Sequence, residues 1–96
     1  MSTDSRRKYK ARHILVEDLE DAEYVLNKLN DGEDFSSLAT ELSECDSAEK
    51  GGLLPSFRSG QMVAEFERAV HNLEIDQVSE PIKSEHGFHI IQRLKI

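Results

Sequence analysis

The chain has 96 residues, of which 38% are hydrophobic and 32% are charged, and its formal net charge is −7. This length suits one domain with one modest core, and the acidic balance argues against a nucleic-acid partner. No apolar stretch approaches the roughly 20 residues of a membrane-spanning helix, so we expect no membrane partner. The single cysteine, Cys45, allows no internal disulfide. Together with the lack of an apolar signal segment, this predicts a cytoplasmic protein, which we expect to be a monomer.

The charge is unevenly distributed along the chain. Residues 1–12 contain five basic residues and one acidic residue, which leaves an excess of negative charge in the rest. We predict a flexible basic tail over residues 1–8 and a folded domain over residues 9–96. A contact of this tail with an acidic surface is the alternative.

Apolar spacing predicts three elements in the first half of the folded part. Residues 9–16 predict a strand, because they end in the apolar run HILV with its β-branched residues. Apolar residues then recur at helical spacing over residues 19–29, with Gly32 as the stop. A second helix is predicted over residues 35–42, with Asp34 as its N-cap.

The second half alternates shorter elements. Residues 47–50 predict one helical turn, and residues 53–57 a brief strand. A third amphipathic helix is predicted over residues 63–73, followed by a short irregular strand over 78–82 and a final strand over 87–94. This order predicts an α+β domain with a small, largely antiparallel sheet.

Two histidines lie in matching positions of the first and last predicted strands. Alternation places His13 on one face with Ala11 and Leu15, and His89 on one face with Ile91. A buried imidazole there must be hydrogen-bonded or line a pocket, because an unpaired buried polar group costs roughly 1–3 kcal/mol. Each histidine alone is also typical of an ordinary core residue. Pairing of the two strands would bring the rings together.

Other chemistries fit these residues less well. Cys45 and a histidine could form a nucleophilic pair, but neighbouring Glu44 and Asp46 would raise the pKa of the thiol. The histidines lack the spacing of a metal site, and no glycine-rich phosphate loop is present. Met62 and Phe66 are four residues apart, so both can project from one face at the start of a helix. They are either ordinary core residues or the walls of an apolar pocket.

Seven short blocks and Phe66 occur in order with short spacers. The blocks are HILV (13–16), DFSSLA (34–39), SECDS (43–47), KGGLL (50–54), FRSGQMV (57–63), VSEPI (78–82) and GFHII (87–91). This ordered set resembles the parvulin family of peptidyl-prolyl cis/trans isomerases from about residue 11 to residue 94.

The resemblance implies a β-α-α-α-β-α-β-β fold with a four-stranded, largely antiparallel sheet surrounded by helices. It implies an enzyme that isomerises X-Pro bonds in peptides and unfolded proteins without a covalent step, a cofactor or a metal, and so assists folding. A non-catalytic peptide-binding or chaperone module with the same groove is the alternative.

The resemblance also implies roles for individual residues. The catalytic centre would contain His13, Cys45 and His89, with the histidines acting mainly as a hydrogen-bonded pair. The residues implied for the proline pocket are Leu54, Phe57, Met62 and Phe66. The residues implied to support the hydrogen-bond network are Ser43 and Ser84. His86 lies at the edge of this site, where the family commonly has a small polar residue, and as a supporting residue it could add a pH-sensitive contact.

Several positions depart from the family pattern. Pro55 replaces a common glycine, Leu53 a frequent polar or acidic residue, and His71 a usually apolar or aromatic one. The connection after the first strand contains Glu17 and Asp18, where phospho-directed parvulins carry a basic loop. These carboxylates would repel a phosphate, so we expect no preference for phosphoserine or phosphothreonine before proline.

Overall fold

A computed structural model describes residues 7–96. Its elements are β1 (Lys8–Val16), α1 (Leu19–Asn30), α2 (Phe35–Leu42), a 3₁₀ helix (Asp46–Lys50), β2 (Phe57–Arg58), α3 (Ala64–Asn72), β3 (Ile82–Ser84) and β4 (Gly87–Leu94). The predicted α+β class and element order are therefore confirmed. Residue 8 already belongs to β1, and residues 1–6 of the predicted tail lie outside the described residues.

Within the described range, four antiparallel strands form one sheet in the order β2-β1-β4-β3. The first and last strands, β1 and β4, are the central pair. His13 lies opposite Ile91, and Leu15 lies opposite His89. Because side chains alternate across a sheet, the two histidines are diagonal neighbours on the same face. The expected pairing of the terminal strands is confirmed.

The two faces of the sheet carry separate clusters of buried apolar residues. Toward α1 and α2 the buried cluster consists of Ile14, Val16, Ala22, Val25, Phe35, Leu38, Ala39 and Ile90. Toward α3 it consists of Tyr9, Ala11, Phe57, Phe66, Val70, Leu73 and Ile91. Both histidines lie on the α3 side, since they share the odd-numbered face of β1 and β4 with Ala11 and Ile91.

One edge of the sheet is interrupted near a proline. Phe57 pairs with Tyr9 and Leu53 bridges Arg12, so the edge chain contains one more residue than β1 between these pairs. The extra residue lies around Pro55, which has no N–H to donate to a ladder. The predicted strand over residues 53–57 is therefore wrong apart from its two ends.

The opposite edge has the same kind of interruption. Val78 bridges Gln92 and Ile82 pairs with His89, again with one extra residue on the edge chain. Pro81 lies in this segment, so β3 begins only at Ile82, whereas the sequence predicted a strand over residues 78–82. Proline at both edges limits the addition of a further strand.

The helix limits follow from their caps. The Asp34 side chain accepts a hydrogen bond from the Ser37 N–H at 3.0 Å, which confirms the predicted N-cap of α2. Helix α3 begins at Ala64, with Val63 as its N-cap. The prediction that Met62 and Phe66 project together from the start of a helix is therefore wrong for Met62, which precedes α3 in a turn.

Gly52 brings the chain close to β1 at His13. It has a φ of +84°, and its carbonyl oxygen accepts a hydrogen bond from the His13 N–H at 2.9 Å. A Cβ on Gly52 would collide with the His13 carbonyl oxygen, whereas a Cβ on Gly32, whose φ is +94°, would meet nothing within 4 Å.

We expect Gly52→Ala to lower the free energy of unfolding by clearly more than Gly32→Ala. The left-handed conformation alone costs roughly 1–2 kcal/mol for a non-glycine residue, and only Gly52→Ala adds a backbone collision. Urea denaturation of both variants measures the difference. Equal losses would show that the backbone approach at His13 is not tight.

Candidate functional site

The two histidine rings form a buried, hydrogen-bonded pair. Their Nδ1 atoms are 3.0 Å apart, and the rings stack with centroids 5.1 Å apart and an angle of 14° between planes. A hydrogen bond between two ring nitrogens needs one proton and one lone pair, so only one Nδ1 carries the hydrogen. His89 Nε2 lies 2.7 Å from Ser84 Oγ, which also accepts a hydrogen bond from the His86 backbone N–H.

Burial keeps this pair uncharged near neutral pH. It lowers the pKa of His13 to about 4, with the nearby His89 as a second cause. Burial also lowers the pKa of His89, followed by repulsion from His86. The pair therefore favours a role in hydrogen bonding over one in transferring protons to and from solvent at neutral pH.

Phe66 covers the histidine pair from α3. Its ring meets both imidazoles edge-on, each with a centroid distance of 5.6 Å, and contacts the Phe57 ring at 6.0 Å. Leu54 and Met62 are half-buried and pack against the same apolar cluster. The structure thus brings together His13, His89 and the four residues predicted for the proline pocket. Their assigned roles stay predictions.

The backbone N–H of Cys45 is linked to β1 through the Ser43 hydroxyl. Ser43 Oγ accepts hydrogen bonds from the Leu15 N–H at 3.0 Å and the Cys45 N–H at 3.4 Å, which links β1 to the loop before the 3₁₀ helix. Within residues 7–96, neither the Cys45 thiol nor the buried His13 Nε2 has a hydrogen-bond partner. The nucleophilic cysteine–histidine pair considered from the sequence is therefore not assembled.

Two further histidines lie outside the buried pair. The His86 side chain is exposed at the rim, 3.7 Å from a Glu85 carboxylate oxygen. His71, one of the departures from the family pattern, is exposed on α3, and its Nδ1 lies 2.9 Å from the Tyr9 hydroxyl. Sequence reasoning noticed His71 but could not find this partner, because the two residues are distant in the chain.

Sequence reasoning missed Glu67. Its carboxylate accepts hydrogen bonds from the turn between β2 and α3. A half-exposed carboxylate on a helix carries no signal in the periodicity, so only the tertiary contact identifies it.

Neither a cluster of metal-ligating side chains nor a membrane-spanning helix occurs in the described part of the chain. No group of three or more His, Cys, Asp or Glu residues there could hold a metal ion. Among the helices of residues 7–96, none is long and apolar enough to cross a membrane.

The family description "Rotamase: PPIC-type PPIASE domain" matches residues 8–95. The chain belongs to this family, the parvulins. It is 54% identical over 89 residues to "Foldase protein PrsA" of Halalkalibacterium halodurans, and 51% identical over 86 residues to "Foldase protein PrsA 4" of Bacillus cereus. These matches cover 92% and 88% of the chain but only 27% and 31% of the relatives, so the chain spans about a third of their length or less.

Solved structures give the same family. The solution structure of NmPin, "the parvuline of Nitrosopumilus maritimus", has a TM-score of 0.83 and 47% identity, and the match covers 97% of this chain and 100% of that one. The crystal structure of PrsA from Bacillus cereus has a TM-score of 0.90 and 48% identity, over 94% of this chain and 35% of that one. The parvulin fold expected from the sequence is confirmed.

The low pKa of His13 makes stability depend on pH. The unfolded chain, with a His pKa near 6.5, binds more protons than the folded chain between about pH 6.5 and 4. The contribution of His13 to the free energy of unfolding is therefore fully present above this window and is lost as the pH decreases through it. We expect acidification from pH 7 to 4.5 to lower the unfolding free energy of the wild type by about 2 kcal/mol more than that of His13→Gln.

Urea denaturation at both pH values measures this effect. Other carboxylates titrate in both proteins, so the difference between the two losses isolates His13. Equal losses in the wild type and His13→Gln would contradict the neutral buried pair.

Proposed function

We propose that this chain is a peptidyl-prolyl cis/trans isomerase that acts on X-Pro bonds in peptides and unfolded proteins and thereby assists folding. The observation that carries the proposal is the Phe66 ring, which meets both rings of an uncharged histidine pair beside the half-buried Leu54 and Met62. Membership of the parvulin family and similarity to proteins named foldases support it.

The reaction needs no covalent step. Rotation about a peptide bond has a barrier of about 18–20 kcal/mol, because the twisted amide loses its resonance. The cis form of an X-Pro bond lies only about 0.5–1 kcal/mol above trans, so both isomers are accessible substrates. A site accelerates the exchange when it binds the twisted amide better than either planar form.

The apolar residues would provide part of this preference. Phe66, Met62 and Leu54 would hold the pyrrolidine ring and exclude water from the amide. Water favours the planar amide, which is more dipolar than the twisted one. A pocket without water therefore raises the energy of the planar ground state relative to the twisted state.

The polar residues would act on the carbonyl side of the bond. The neutral pair of His13 and His89 would orient hydrogen-bonding groups without introducing a charge. Cys45 would contribute to the local field beside the carbonyl. Because the thiol has no histidine partner among the described residues, we propose that it does not attack the substrate.

The deciding measurement is NMR exchange on X-Pro peptides with catalytic amounts of protein. We expect acceleration by the wild type and a loss of at least about tenfold in kcat/KM for Phe66→Ala, which corresponds to about 1.4 kcal/mol of transition-state stabilisation. Phe35→Ala is the matched control, since Phe35 is similarly buried on the opposite face of the sheet. It should lose comparable stability but keep its activity at a temperature where both variants are folded.

The same experiment separates the enzyme from the non-catalytic module. A module would bind the peptide and shift its resonances without accelerating exchange. A wild-type protein that binds but does not accelerate would overturn the proposed activity, and a fully active, folded Phe66→Ala would overturn the pocket assignment.

Replacement of the cysteine tests the non-covalent mechanism. We expect Cys45→Asp to retain measurable isomerase activity. The aspartate carboxylate can replace the thiol as a polar neighbour of the carbonyl, but it cannot replace the sulfur as a nucleophile. Exchange rates and circular dichroism would be measured on the same sample. Complete loss of activity in a folded variant would contradict the mechanism.

Selectivity and cellular context are further parts of the proposal. The exposed Glu17 and Asp18 at the end of β1 support an enzyme that does not prefer phosphorylated residues before proline. Phosphorylated peptides should therefore not turn over faster than plain ones.

The single cysteine and the net charge of −7 support a cytoplasmic protein without nucleic-acid or membrane partners. Cell fractionation would test the location, and light scattering would test the proposed monomer.

A further inference from the structure

One carboxylate ties the turn that carries Met62 to helix α3. Glu67 Oε2 accepts a hydrogen bond from the Ser59 hydroxyl, and Glu67 Oε1 accepts one from the Gly60 N–H, both at 2.6 Å. Hydrogen bonds to an ionised group are roughly twice as strong as neutral ones. The Ser59 hydroxyl and then the Gly60 N–H hold the pKa of Glu67 below its usual range, so the anchor is charged at neutral pH.

Packing supports this turn on only part of its surface. Ser59, Gly60, Met62 and Glu67 all line an open groove of about 650 Å³. Gly60 is exposed and has a φ of +92°. Open space therefore lies beside the turn, and the hydrogen bonds to Glu67 connect the turn to α3 across its groove side.

Two further hydrogen bonds of the turn lie on its β2 side. The Arg58 N–H donates to Gln61 Oε1 at 2.7 Å, and the Ser59 N–H donates to the Arg7 carbonyl oxygen at 2.9 Å. These bonds hold the shape of the turn and its junction with β2. Neither of them reaches α3.

We propose that Glu67 is a positioning residue of the isomerase site: it fixes the turn over residues 59–62 against α3 and thereby sets the distance between Met62 and Phe66. This inference rests on the proposed function. It adds a residue that contacts no substrate but determines the width of the proline pocket.

The two pocket walls are held in different ways. Phe66 directly precedes Glu67 in α3 and is fixed by edge contacts with both histidine rings. Met62 precedes the helix, and although its flexible side chain packs against the apolar cluster, the turn over residues 59–62 sets the position of its backbone. A misplacement of about 1 Å in a site of this kind can lower the rate about 100-fold.

The variants follow from the hydrogen-bonding groups. Glu67→Ala removes both bonds. Glu67→Gln can keep both, because its amide oxygen accepts from the Gly60 N–H and its amide N–H donates to the Ser59 hydroxyl. Glu65→Ala is the matched control, since Glu65 is an exposed carboxylate of the same helix that has no hydrogen bond to the turn within the described residues.

The experiment combines NMR exchange kinetics with the methyl resonance of labelled Met62. We expect Glu67→Ala to lower kcat/KM at least about tenfold, whereas Glu67→Gln stays within about threefold and Glu65→Ala is unchanged. The Met62 methyl signal should shift or broaden only in Glu67→Ala. The His13 amide, bonded to the Gly52 carbonyl, should keep its exchange protection in all variants, which shows that the sheet is intact.

Two results would overturn the inference. One is a folded Glu67→Ala with the kcat/KM and Met62 methyl signal of the wild type. The other is a Glu67→Gln that is as impaired as Glu67→Ala, because the charge and not the anchored turn would then matter. A wild type that accelerates no exchange would instead refute the proposed function, and the Met62 signal would still show whether Glu67 holds the turn.

Discussion

The first and last strands pair at the centre of the sheet, so almost the entire chain lies between two neighbouring strands. Among the described residues, the three α-helices, the 3₁₀ helix and both edge strands fold outside this pair, on one face or at an edge. Contacts between residues so distant in sequence require the closure of a long loop before they stabilise the fold. Once β1 and β4 are in register, His13 and His89 become diagonal neighbours and the site has its centre.

The same pairing explains why the histidines are uncharged. A buried imidazolium would lose its hydration, and a second imidazolium beside it would add repulsion. The Nδ1 to Nδ1 distance of 3.0 Å fits a hydrogen bond in which one neutral ring donates its Nδ1–H to the Nδ1 lone pair of the other. A site built on this pair is suited to orienting and desolvating a substrate amide. It is poorly suited to nucleophilic catalysis, which needs a base beside the thiol.

The irregular segments also contribute to the site. Pro55 and Pro81 interrupt the two edges of the sheet, and the chain next to each interruption passes close to the histidine strands. Gly52 allows one such approach, because a side chain there would collide with β1. On the other side, Glu67 connects the turn of Met62 to the helix of Phe66. The paired strands β1 and β4 thus position the two histidines, and hydrogen bonds between Glu67 and a turn position Met62.

The sequence alone predicts the element order, the N-cap of α2 and the placement of both histidines on buried strands, because periodicity and capping depend on near neighbours in the chain. Its ordered blocks also identified the family. Sequence patterns predicted a strand over residues 53–57, but Pro55 interrupts the strand pairing there. They also predicted the start of a helix near Met62, whereas α3 begins only after its N-cap at Val63. The partners of His71 and Glu67 are visible only in the tertiary structure. Those contacts join residues of different elements, and their geometry depends on how the strand, the turn and α3 pack together, which no local pattern in the sequence encodes.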